Sequence, residues 1–199
     1  MSEIRTLANS LPVQGTGRVG TAWWGMVCLI ATEALLFAFF LFAFLYLGTQ
    51  AATGWPPGGP PALRLALPNT ILLLASSVVL QWGLGGVERR RRWRWLGALG
   101  VTILMGAGFV AVQVLEWSNK PFALTTSAYG SAYFSLTGLH MAHVAAGLIA
   151  LLVIFLWSVL GRFSPERHEH VSLAALYWHF VDAVWLTVFT VVYLVPRFT

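Results

Sequence analysis

His179 and Asp182 stand three residues apart inside an apolar run, "ALYWHFVDAVWLTVFTVVYL", that covers residues 175–194. On a helix that spacing puts both side chains on one face. A second pair with the same spacing, His140 and His143, lies in "TGLHMAHVAAG". Glu33 lies in "ATEALLF", Gln81 in "LQWG" and Glu116 in "VQVLEW". A charge at bilayer depth costs at least about 2.5–3.5 kcal/mol on insertion scales, so each of these groups must face protein and find a partner. Three chemistries fit such a set. Three histidines and two carboxylates on neighbouring helices could hold a metal, although paired Glu-x-x-His motifs and His-rich boxes are both absent. Intramembrane Asp, Glu and His chains also carry protons. The plainest reading, and the preferred one, is a polar network that fixes how the helices dock. We expect one cluster joining the first, fourth and fifth helices, with Glu33 paired to His140 or His143 and Asp182 hydrogen-bonded rather than facing lipid. Three deep histidines leave room for a single haem but are too few for two haems and a histidine-bound copper.

The elements that must position these residues follow from composition. The 199 residues are 58% hydrophobic and 10% charged, against about 25% charged in a soluble domain. Five apolar segments, at about 20–48, 68–87, 95–117, 129–160 and 172–195, each reach the roughly 20 residues a spanning helix needs. The expected fold is all-α: one transmembrane domain of five helices over residues 20–199, preceded by a cytoplasmic segment, residues 1–19, with no signal-peptide pattern. With the N-terminus inside, nine Lys and Arg fall on inner flanks and three on outer ones, which orients the chain N-in and C-out. The cluster "ERRRRWRW" is thus an orientation signal, and no nucleic-acid partner is expected despite the basic balance. The loop "GWPPGGPPALRLALPN" is a stiff outer connector, with Pro68 in the first turn of the second helix. Trp55, Trp117 and Tyr193 near outer boundaries, and Trp23, Trp24, Trp93 and Trp95 near inner ones, suggest interfacial belts. Cys28 is expected to pack inside, and His168 and His170 to lie in a solvated inner loop.

Several segments together resemble one family. "WWGMVCLIATEALLFAFF" is similar to the helix of cytochrome c oxidase subunit III that begins with Trp-Gly and carries a buried glutamate. "WPPGGPPALRLALPNTILLLASS", "VQVLEW", "YGSAYFSLTGLHMAHVAAGL" and "YWHFVDAVWLTVFTVVYL" resemble its later motifs in order, from Trp23 to Leu194. The resemblance implies a non-catalytic subunit of a haem–copper terminal oxidase, of the short five-helix bacterial form that lacks the two helices opening the longer members. It implies no haem or copper bound by this chain, both being held in partner subunits, and structural phospholipid beside it. It also implies subunit I as main contact with subunit II nearby, support of proton uptake in subunit I, and a place in a bacterial plasma membrane. Glu33, His140, His143, His179 and Asp182 match motif positions that in the family are structural or lipid-proximal, with Gln81 and Glu116 in the same buried polar set. Met141 departs from the glycine usual after the first histidine. That departure keeps an accessory protein of nitric oxide reductase as an alternative, and a quinol oxidase remains another. From other classes, a free-standing proton channel or a metalloenzyme would also use deep carboxylates and histidines.

Overall fold

A computed structural model describes residues 20–52, 54–88, 91–161 and 169–198. These residues form α1 (Thr21–Thr49), α2 (Leu63–Glu88), α3 (Arg92–Ser118), α4 (Ala128–Val159) and α5 (Glu169–Phe189). A π-helical turn, Thr190–Leu194, and a 3-10 turn, Val195–Arg197, extend α5. Among the described residues there is no strand, and five helices are long and apolar enough to cross a membrane. The chain is an all-α, multi-pass membrane protein. The N-terminal segment 1–19, His168 and several arginines of the charge count lie outside the described residues.

The expected and observed ends of the helices differ by three residues or fewer except at two places: the α-helical part of α5 stops at Phe189, with the π-helical and 3-10 turns continuing to Arg197, and the start of α2 is displaced. That helix begins at Leu63, five residues earlier than expected, so Pro68 lies inside it rather than in its first turn. A proline there forfeits one backbone bond, to the Arg64 carbonyl. Cross-helix bonds hold the segment instead: Asn69 donates to the Phe109 carbonyl of α3 at 3.1 Å, and Thr70 accepts from Trp185 of α5 at 2.9 Å.

Small residues decide how closely the helices meet, as expected where lipid is as apolar as the side chains. A Cβ on Gly83 of α2 would fall 2.5 Å from the Ala98 Cβ of α3. Gly106 of α3 and Gly147 of α4 form a notch filled by Trp178 of α5, whose ring lies 2.7 Å and 3.0 Å from where their Cβ atoms would be. Trp178 is fully buried, and its indole N–H donates to Ser76 Oγ at 3.0 Å. Trp185, two turns on, is also fully buried. α5 is therefore the central element, touching α1, α2 and α4 and reaching α3 through its tryptophans. α1 is peripheral: it packs on α4 and α5, and only Phe37 and Phe44 are buried along it.

Two packing expectations need correction. Trp23, Trp24 and Trp93 are exposed, as belt residues would be, but Trp95 is buried and donates to Ser158 Oγ at 2.9 Å. Trp55 packs edge-on to Phe44 and Tyr129, Trp117 to Phe134, and Tyr193 is buried. Neighbouring rings cover Trp55, Trp117 and Tyr193 at the outer end, whereas Trp95, at the other end, lies against Gly83 of α2 and Ser158 of α4. Cys28 is exposed on α1 rather than packed inside, since that face of α1 meets no other helix.

Candidate functional site

The deep polar residues do not form the single cluster that their spacing suggests. They separate into three seams and one isolated ring.

The first seam ties α1 to α4. Glu33 Oε2 lies 2.9 Å from His143 Nε2, so the fourth-helix histidine that Glu33 meets is His143. The other ring nitrogen, Nδ1, donates to the Leu139 carbonyl at 2.8 Å, which places a hydrogen on Nδ1. Nε2 then either accepts from a protonated Glu33 or donates to an ionised one, and the pair is neutral overall in both cases. Phe37 packs edge-on to the imidazole at 4.9 Å and shields the contact.

His140, one turn before His143, has a different environment. Positions three apart on a helix diverge by about 60° around the axis. That is enough to point His143 at α1 and His140 into the core. His140 is fully buried, stacked on Trp185 at 4.8 Å and met edge-on by Phe109 at 6.0 Å. Among the described residues neither of its ring nitrogens has a hydrogen-bond partner. Met141, the departure from the family's glycine, is buried beside it in the core.

The second seam joins α5 to α2. Ser77 Oγ hydrogen-bonds Asp182 Oδ2 and lies 2.9 Å from His179 Nδ1. His179 Nε2 lies 3.2 Å from Gln81 Oε1. Asp182 is 4% exposed, so it is covered by protein and hydrogen-bonded, as its cost in lipid requires. A groove of about 440 Å³ opens beside this seam, lined by Ser77, Val78, Gln81, Trp82 and His179. Arg94 stacks over Trp82 at 4.1 Å and donates to the Trp82 carbonyl.

The third seam lies at the opposite end of the bundle. Glu116 Oε1 accepts from Lys120 Nζ at 2.8 Å and from the Tyr193 hydroxyl at 2.7 Å. Tyr193 and Tyr133 exchange a hydrogen bond at 3.0 Å, and the Lys120 ammonium lies over both rings. This seam joins α3, α4 and the end of α5 in one contact.

The hydroxyl partners are what sequence reasoning missed. Ser76, Ser77 and Thr70 on α2 complete the α5 contacts. The signal that could have found them is the Ser-Ser pair in "LLLASSVVL", opposite an α5 face that carries two indole donors seven residues apart.

Among the described residues no three His, Cys, Asp or Glu side chains converge on a point where a metal ion would fit. His143 and His179 have both ring nitrogens engaged by other groups, and aromatic rings enclose His140. The arrangement suits hydrogen bonding and short proton shifts between helices.

Comparison with known proteins adds a separate line of evidence. The sequence pattern of the family described as cytochrome c oxidase subunit III matches residues 14–196. The chain is 38% identical over 178 residues to cytochrome c oxidase subunit 3 of Scyliorhinus canicula, which covers 85% of this chain and 68% of the relative. It is 36% identical over 193 residues to that of Papio hamadryas, covering 93% and 72%. The same protein from Drosophila melanogaster is 36% identical over 177 residues.

Proposed function

The chain belongs to the cytochrome c oxidase subunit III family, and from that premise we propose that it serves as the non-catalytic subunit III of a haem–copper terminal oxidase. It packs against subunit I, with subunit II in the same complex, steadies proton uptake there and holds phospholipid along its apolar flanks. Oxygen reduction would take place on haem and copper in the partner subunits. In this reading the membrane is a bacterial plasma membrane, with the N-terminus and the arginine-rich stretch of sequence between α2 and α3 on the inner side.

The observation that supports the reading best is that two of the deep histidines are hydrogen-bonded within the chain and the third is enclosed by its aromatic rings. His143 meets Glu33 and a backbone carbonyl, His179 meets Ser77 and Gln81, and His140 is closed off by rings. Such a chain is suited to scaffolding. Its outward surface agrees with that role. Leu35 is 72% exposed and Phe39 and Phe42 66%, leaving α1 a broad apolar face for lipid or a neighbouring subunit.

Affinity purification of the tagged chain from its native membrane tests the proposal. A larger haem-bearing subunit with an oxidase spectrum and oxygen-reducing activity should accompany it. Recovery of a stable, colourless monomer overturns the proposal. Co-purification with a subunit that reduces nitric oxide instead assigns the chain to that accessory branch.

A further inference from the structure

A hydrogen count along the α2–α5 seam leads beyond the scaffold role. Ser77 Oγ touches both Asp182 Oδ2 and His179 Nδ1, yet a serine hydroxyl has one hydrogen to donate. His179 Nε2 faces the Gln81 amide oxygen, which only accepts, so Nε2 carries a hydrogen. Two arrangements then satisfy every contact. In one, Asp182 donates to Ser77, Ser77 donates to Nδ1, and acid and imidazole are both neutral. In the other, Ser77 donates to Asp182 and Nδ1–H donates to Ser77, giving a carboxylate and an imidazolium. The two hold the same number of hydrogens and the same net charge. They differ by two short hops, Asp182 Oδ2 to Ser77 Oγ and Ser77 Oγ to His179 Nδ1.

We propose that Ser77 is a proton bridge, and that Asp182, Ser77 and His179 form a proton-exchange site with its outlet at His179 Nε2 in the groove between α2 and α5. The site gives a carboxyl that is 4% exposed a route to the groove surface without moving a helix. When a proton leaves through Nε2, Nδ1–H donates to Ser77, and Ser77 donates to the Asp182 carboxylate. Nε2, now an acceptor, is satisfied by turning the Gln81 amide so that its NH2 group faces the ring. Gln81 is exposed and lines the groove, so that rotation is sterically open. The hydrogen that enters the groove is the one Nε2 carried, Asp182's own having passed to Ser77, so the net change is one proton lost from the carboxyl and taken up by water.

Two spectroscopic readings test this on the full chain, in whatever complex it purifies with, so failure here leaves the subunit assignment untouched. The His179 ring is read by nitrogen NMR with labelled histidine, assigned by its loss in His179→Asn. The Asp182 carboxyl is read by its infrared band, assigned by its loss in Asp182→Asn. Ser77→Ala should shift both signatures, and Ser77→Thr, which restores a hydroxyl, should return both toward the native pattern. Unchanged signatures in Ser77→Ala overturn the bridge, as does a Ser77→Thr variant that behaves like alanine. Where Ser77→Ala fails to assemble, exchange in heavy water decides. The Asp182 band should shift on transfer to D2O in the native chain, and His179→Phe should lose that shift. Exchange that persists in His179→Phe overturns the outlet.

Discussion

α1 and α5 are both apolar helices that carry a deep carboxylate, but they are held in opposite ways. α1 lies on the rim, attached by Glu33 to His143 and by the buried rings of Phe37 and Phe44. α5 is wedged among its neighbours by Trp178 and Trp185, each closed by an indole hydrogen bond to a hydroxyl on α2. Because lipid tails solvate leucine as well as protein does, apolar area alone does not hold a helix in place in a membrane. Shape and hydrogen bonds do. α5 has both along most of its length, whereas α1 depends on one polar pair and a short aromatic stretch.

The comparison can be broken most forcefully at the wedge. Trp178→Ala empties the notch between Gly106 and Gly147 and should cost about 3–5 kcal/mol, the range for large buried aromatics cut to alanine. Denaturant titration of the purified protein in detergent should show it as the largest loss of any single change named here. Filling the notch from the other side, with Gly106→Val, should produce a comparable failure of assembly. The added Cβ alone would lie 2.7 Å from Leu148 Cδ2 and from the Trp178 ring, and the fully buried indole is rigid and enclosed.

Asp182→Leu should cost less, about 1–3 kcal/mol, by taking one partner from the partly buried Ser77 hydroxyl. Asp182→Asn, which keeps an acceptor oxygen, should be milder. A stability equal to that of the native chain in Asp182→Leu would mean that the seam does not hold α5. Glu33→Ala should cost about 0.6–1.7 kcal/mol, from the mean to the maximum found for interhelical hydrogen bonds in one membrane bundle. It should loosen α1 without disturbing α5, and turnover in the fully assembled complex should begin normally. Loss of activity from the first cycle would assign Glu33 a direct chemical role. Cys28→Ser and Leu35→Ala, on the open face of α1, should change stability by no more than about 0.5 kcal/mol. A large loss of complex yield without a loss of chain stability would locate a subunit contact on that face.

Much of the architecture could be read before any coordinates. The five apolar runs are long enough to leave only helix, and the price of a deep charge guarantees that Glu33 and Asp182 have partners. What could not be read is which residues those partners are. His140 and His143 lie on one helix, and a step of about 60° around the axis separates a ring bonded to Glu33 from one stacked among aromatic rings. The expected single cluster failed for that reason: spacing sets angles within a helix, and only the packing of helices sets which neighbour lies at each angle. The belt assignment of Trp95 and Tyr193 failed similarly, because closeness to a helix end in sequence does not say whether another helix covers that end.

By itself, then, the sequence determined the number and kind of elements, their approximate bounds, and the requirement that each deep polar group be satisfied, since all of these follow from local composition and the cost of desolvation. Tertiary structure alone decided that Ser77 stands between Asp182 and His179, that two glycines on different helices admit one tryptophan, and that the polar residues divide into separate seams. Those outcomes depend on the rotation and close approach of whole helices, which small residues far apart in the chain fix together.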